Sequence, residues 1–436
     1  MITSPAAILE TMDLSSLLIF IYRHLTDNNN SSEFYKHKNK IIWEVTILGK
    51  KTKRALAFIV LMGFVSLFSD IVYEGARSIS GPFLGLLGAS ATVVAFTAGL
   101  GEFIGYALRL VTGYLAGKTK RYWLFTFVGY FMNLFAVPAL ALAGNWQLAV
   151  LLLLSERFGK AIRKPSRDTM MSYAAKQVGT GFGFGLEEAL DQVGAISGPV
   201  ILSLVLSLKA GEEFAKYKLA FSVLFFPALI AIILLICGRI FFPEPGEFEE
   251  KSTPGGKITT NGFALYMVAI SLIAAGFSDF PLISFHFAKN HILSSSTIPL
   301  FYSIAMAVDA VAALFFGKLF DKKGIMVLII SSALSALFAP LVFLTKNIFL
   351  ISVGVSLWGI GMGAQESILK AVVANLVSRE KRAFAYGIFN TVFGLFWFLG
   401  SLFMGILYEK SLLLLVIFSV VSELSSVFVL LGLRKH

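Results

Sequence analysis

Asp70, Glu74 and Arg77 are spaced so that a helix would carry all three on one face, inside an otherwise apolar stretch. Glu102 and Arg109 stand in the next apolar stretch, Glu188 and Asp191 in a later one, and Asp309 in the second half of the chain. An ionisable side chain at mid-bilayer costs at least about 2.5–3.5 kcal/mol, so residues of this kind are kept for chemistry rather than for folding. The chemistry open to carboxylates and guanidinium groups at that depth is proton uptake and release, binding of a polar solute, or capture of a hard cation such as sodium. Asp70, Glu102 and Asp309 fall near mid-depth and are the first candidates for proton coupling. Glu74, Arg77, Arg109 and Asp191 are candidates for the cavity around them. Seven residues separate Glu102 from Arg109, about 10 Å along a helix axis, so Glu102 is expected to lack a direct ion partner and to remain protonatable.

The elements that must position these residues are transmembrane helices. Of the 436 residues, 57% are hydrophobic and only 14% charged, against about 25% charged in soluble domains. Twelve stretches approach the roughly 20 apolar residues that a helix needs to span a bilayer. They are 55–79, 90–115, 122–143, 146–162, 179–206 and 218–242, then 262–286, 299–316, 324–344, 348–370, 383–407 and 411–433. The polar break at 243–261 divides them six and six, which predicts an N-terminal bundle over 55–242 and a C-terminal bundle over 262–436. Residues 1–54 are expected to be a flexible cytoplasmic tail. With the N-terminus inside, 29 Lys and Arg fall on the cytoplasmic side and 7 on the other, which places both termini in the cytoplasm of a multi-pass cell-membrane protein. This placement accounts for the net charge of +11 without nucleic acid.

Several classes of function lose support. A single cysteine, Cys237, excludes an internal disulfide framework, and five scattered histidines offer no haem-type ligation. Gly117-Lys118-Thr119 lacks the earlier glycine of a P-loop, because position 112 is Thr. Neither a Gly-x-Ser-x-Gly elbow nor a His-Glu-x-x-His pair occurs. No enzymatic activity, cofactor or metal is expected.

The two halves repeat one another. Phe68-Ser69-Asp70 recurs at Phe277-Ser278-Asp279, Gly113-Tyr-Leu at Gly317-Lys-Leu, and Gly183-Phe-Gly185 at Ala385-Tyr-Gly387, at offsets of 209, 204 and 202 residues. Six-helix repeats around a midplane cavity are the mark of alternating-access transport. The segment Gly317-Lys-Leu-Phe-Asp321-Lys322-Lys-Gly324 resembles the loop motif of the major facilitator superfamily, and its first-half copy begins at Gly113 but carries Gly117 in place of the acid. Gly185, Gly194 and Gly198-Pro199 are similar to the fifth-helix motif of proton-driven exporters, although Leu202-Ser203 replaces its closing glycines. The run Glu156-Arg157-Phe-Gly-Lys-Ala-Ile-Arg163-Lys-Pro-Ser-Arg167-Asp168 resembles a fourth-helix segment of a little-characterised archaeal and bacterial branch.

This resemblance implies an all-α fold of twelve transmembrane helices, in two bundles of inverted three-helix repeats. It further implies a monomeric secondary transporter of a small solute, coupled to protons or sodium and possibly working as an exporter, with the lipid bilayer as its surroundings. Asp321 is expected to latch onto the N-terminus of the fifth helix, and Arg157, Arg163, Arg167 and Asp168 to form a positive gating surface at the cytoplasmic face. A lipid or amphiphile translocase and a non-transporting sensor are the alternatives.

Overall fold

The computed structural model describes residues 31–208, 211–244, 260–376 and 382–433. The described residues are helical throughout, joined by short turns. In the first half the spans are α1 (Ser31–Leu86), α2 (Ala91–Thr119), α3 (Tyr122–Ala139), α4 (Trp146–Val178), α5 (Thr180–Leu208) and α6 (Glu213–Phe241). In the second half α7 is broken into Thr260–Gly276 and Phe280–Lys289, and α8 is Thr297–Lys323. They are followed by α9 (Met326–Phe343), α10 (Ile348–Leu376), α11 (Arg382–Lys410) and α12 (Leu412–Leu433). Eleven of these are long and apolar enough to cross a membrane; α4 matches them in length but carries the Arg157–Lys176 charges.

Local chemistry sets the helix ends. The Ser90 hydroxyl accepts from the Val93 amide at the start of α2, and the Asn145 side chain accepts from the Leu148 amide at the start of α4. The end of α8 is closed by Gly324 at φ 57°, and the end of α2 by Lys120 at φ 53°, 204 residues earlier. The two repeat positions thus share a positive φ, but their ψ differs, 18° at Lys120 and −142° at Gly324. Both copies of the expected loop motif form the last turns of helices rather than a free loop. The Asp321 side chain lies outside the described residues, as do 1–30 and most of the linker. Residues 31–54 continue α1 as helix.

Glycines bring helix backbones together. A Cβ on Gly194 would lie 2.3 Å from the Leu67 carbonyl oxygen, and one on Gly198 would lie 2.5 Å from that of Ile71, so α5 rests directly on α1. Gly185, in the same motif, has nothing within 4 Å. In α4, Pro165 cannot donate to the Ala161 carbonyl, and the Thr112 hydroxyl of α2 donates there instead, at 2.9 Å. Gly113 makes room for this kink: its Cβ would touch the Pro165 ring at 3.3 Å.

The bundles meet through α1 against α7, α2 against α11 and α5 against α8. At the end away from the basic loops these contacts are sealed. Ser203 donates to the Ser296 carbonyl, Ser303 to the Ile196 carbonyl, and the Thr92 amide to Glu409.

The two motif glycines should respond to substitution with opposite signs. Gly194→Ala forces the Leu67 carbonyl to move and is expected to destabilise by about 1–3 kcal/mol. Gly185→Ala is expected to stabilise by about 0.5–1 kcal/mol. Thermal unfolding of the detergent-solubilised protein checks both; equal effects would show that the close approach is not what Gly194 serves.

Candidate functional site

A cavity of about 400 Å³ lies between the bundles, on the basic-loop side of the seal. Its N-terminal wall is built by α1, α2, α4 and α5, and its C-terminal wall by α8, α10 and α11. Asp70, Glu74, Arg77, Glu102, Arg109, Asp191 and Asp309, the candidates from sequence, all line it. Helix periodicity explains the assembly: each wall helix turns one polar stripe inward and leaves its apolar remainder to neighbours and lipid.

The five basic residues at 157, 160, 163, 164 and 167 fall on one broad stripe of α4. Arg157, Lys160, Arg163, Lys164 and Arg167 line the cavity, and Arg157, Arg163 and Arg167 are buried. This corrects the expected positive gating surface at the cytoplasmic face. The reason is length: α4 is 33 residues long, so Arg157 lies eleven residues in, about 16 Å from its start and well within the membrane. Asp168, at the end of that run, is partly exposed and pairs with Arg167 at 3.2 Å.

A chain of charges crosses the molecule at the upper limit of the cavity. Asp279, from the break in α7, accepts from Arg77 of α1 at 2.7 Å. Arg77 lies 3.5 Å from Glu102 of α2, which pairs with Arg157 of α4 at 2.7 Å. Arg157 also contacts Glu156 at 3.2 Å, and Glu156 accepts from Asn133 of α3 at 2.5 Å. The Tyr73 hydroxyl accepts from Arg157, and the Tyr302 hydroxyl of α8 donates to Glu74 at 2.5 Å. Glu102 is therefore the centre of a salt-bridge network, not the solitary carboxyl expected from its spacing to Arg109. Its partner comes from another helix, which spacing within α2 could not reveal.

The other charges divide into paired and unpaired. Arg167 pairs with Glu187 at 2.9 Å, and Ser66 bonds to both. Lys160 sits over the Tyr73 ring at 3.4 Å, Arg163 over Tyr130 at 4.2 Å and Arg109 over Tyr106 at 4.9 Å. No carboxylate among the described residues lies within bridging distance of these three. Asp309 is 2% exposed, rests on the Gly363 notch of α10, and keeps one carboxylate oxygen without a partner. Asp191 likewise keeps one unpartnered oxygen.

The sequence reading missed Tyr73, Glu156, Lys160, Glu187, Asp279, Gln365 and Trp397 as site residues. Asp279 had a signal: it is the repeat partner of Asp70. Lys160 and Glu156 lay inside a run already singled out, but the run had been placed at the surface.

Two six-helix bundles facing across a polar midplane cavity define the class of alternating-access membrane transporters. Residues 55–401 match the model of the Major Facilitator Superfamily, and the chain belongs to that family. An uncharacterised protein of Mycobacterium tuberculosis is 38% identical over 387 residues, covering 87% of this chain and 93% of that protein. An uncharacterised MFS-type transporter of Methanocaldococcus jannaschii is 28% identical over 375 residues, covering 80% and 88%. Among solved structures, the nucleoside transporter NupG aligns with a TM-score of 0.71 at 13% identity, over 86% of this chain and 99% of that one. A bacterial homolog of the human lysosomal transporter Spinster, in an inward-facing conformation, aligns at 0.63 with 15% identity, over 88% and 95%. At such identities the likeness to the solved structures is one of fold.

Removing one member of the buried pair leaves the other charge stranded. Glu102→Gln is expected to destabilise by about 3–5 kcal/mol, and adding Arg157→Gln should restore part of the loss. Unfolding midpoints of the two single variants and the double variant measure this; additive losses would show that the pair is not coupled.

Proposed function

We propose that this protein is a secondary active transporter of a small polar solute, driven by protons, working by alternating access with both termini in the cytoplasm. The observation that supports this reading best is the cavity itself: a midplane chamber lined by charged side chains of both bundles and sealed at one end only. In that orientation the sealed end faces outward, and the structure corresponds to an inward-facing state. The charged lining favours a polar cargo over the acyl chains of a lipid.

The coupling role falls to Asp309 and Asp70, with Asp191 beside them. These carboxyls line the cavity without a salt bridge among the described residues, whereas Glu102 is held by two guanidinium groups. A carboxyl buried with a free oxygen takes up a proton when the cavity opens to one side and releases it when the cavity opens to the other. Protonation removes a charge that closing helices would otherwise have to desolvate. The gating contacts are the outer seal and the turns around Gly113, Gly317, Lys322 and Gly324, with Asp321 as the latch acid at the inner face.

Proteoliposomes loaded with a pH-reporting dye, in sodium-free buffer, test coupling against a library of small polar metabolites. At least one compound is expected to drive proton movement, and Asp309→Asn should reduce it tenfold or more. An absolute requirement for sodium would overturn proton coupling, and an unchanged response in Asp309→Asn would remove Asp309 from it.

A further inference from the structure

Among the described residues, the lining of the cavity holds seven cations (Arg77, Arg109, Arg157, Lys160, Arg163, Lys164, Arg167) and seven carboxylates (Asp70, Glu74, Glu102, Glu188, Asp191, Asp309, Glu366), so these residues together favour neither sign of net charge. The two signs are not mixed evenly. All seven cations stand on the N-terminal wall. Among the described residues the C-terminal wall contributes no cation, only the carboxylates of Asp309 and Glu366 among apolar, aromatic and neutral polar side chains.

What is left unpartnered sharpens this division. On the C-terminal wall, Asp309 and Gln365 each keep a buried oxygen without a hydrogen-bond partner, and Trp397 keeps a buried indole N–H. Trp397 packs edge-on against Phe393, with ring centroids 5.4 Å apart, and both rings border the cavity. Two unpartnered acceptors in a cavity that aromatic rings also line suit an ammonium group, through charge-assisted hydrogen bonds and cation–π contact, while the Trp397 N–H, a donor, does not itself call for a cation. Asp309 also lies within electrostatic reach of Glu74, Glu188 and Glu366 and, in the opposite sense, of Arg77. On the N-terminal wall, Arg109 has a buried Nε–H with no acceptor, and both it and Lys160 rest on aromatic rings rather than on carboxylates. Arg157 and Arg167, by contrast, are already committed to Glu102 and Glu187. Arg109 and Lys160 thus retain donors for an anionic group.

Resting on the transporter reading above, we infer that the cargo is a compact zwitterion. Its anionic end is received by Arg109 and Lys160 of the N-terminal bundle, and its cationic end by Asp309 and Gln365 beside Trp397 and Phe393 of the C-terminal bundle. Such a cargo joins the two walls by complementary charge. A solute with one charge satisfies one bundle and leaves the buried groups of the other unpaired, a penalty of the kind that separates good from poor ligands at polar sites.

The test uses the purified full-length protein and a panel of zwitterions: the twenty standard amino acids, glycine betaine, carnitine and phosphocholine. Binding is read by thermal stabilisation and then by titration. For an amino acid that binds, the amide keeps only the ammonium and the N-acetyl derivative keeps only the carboxylate; both should bind at least tenfold more weakly. Asp309→Asn is expected to erase the preference over the N-acetyl derivative, and Arg109→Gln the preference over the amide. Should Asp309→Asn fail to fold, Gln365→Leu is expected to shrink the first preference at least threefold. Absence of any zwitterion binder, or equal binding of a one-charge derivative, would overturn the inference. Counterflow in proteoliposomes separates this from the underlying reading: a zwitterion that binds without flux refutes transport alone, and flux of a neutral or singly charged compound refutes the zwitterion alone.

Discussion

Charge buried in a membrane must be met by charge, and the chain Asp279–Arg77–Glu102–Arg157–Glu156 is where this protein satisfies that demand. The chain joins α7, α1, α2 and α4, and Asn133 carries it to α3. It crosses from one bundle to the other at a single link, Arg77 to Asp279. Every other feature of the cavity is arranged around this line. The seal at the end away from the basic loops lies beyond it, the cavity lies before it, and the unpaired carboxyls stand on the cavity side.

Such a network requires helices held at fixed distances, and small residues supply them. Gly101 leaves room for the Arg157 stem, with a notional Cβ only 2.8 Å from it, and thereby lets α4 present its guanidinium to Glu102, the next residue of α2. Gly363 does the same for Asp309, whose carboxylate oxygen would lie 2.8 Å from an added Cβ. Glycines that let helices approach are therefore also what aims the charges. Pro165 has a similar double effect, because the bond it removes is replaced by Thr112 of α2, tying the α4 stripe to the helix that bears Glu102.

The span pattern, the six-and-six division and the internal repeat were legible because hydrophobic periodicity and chain length carry them directly. The membrane-depth argument found Asp70, Glu102, Arg109 and Asp309 for the same reason. It failed at α4, where basic residues in a run were taken to mark the surface; hydropathy cannot distinguish a loop from a helix whose charges face an internal cavity. Partners were illegible as well. Glu102 meets Arg157 across 55 residues of sequence and Arg77 meets Asp279 across 202, and only the packing of helices reveals which charges meet. The break in α7 left no mark beyond Gly276, since Phe277-Ser278-Asp279 reads as helix in its repeat partner within α1.

That break presents Asp279 from a stretch whose backbone is satisfied sideways, by Ser419 donating to the Gly276 carbonyl and Trp358 to the Ser278 carbonyl. It also places the carboxylate where it is 2% exposed, far from ions in the medium. Dissolved salt screens charges that water can reach and leaves enclosed pairs almost untouched. Surface bridges such as Lys216–Glu213, whose acid is 45% exposed, weaken as salinity rises. The enclosed Arg77–Asp279 link between the bundles does not, so its strength changes little whether the protein works beside fresh water or brine.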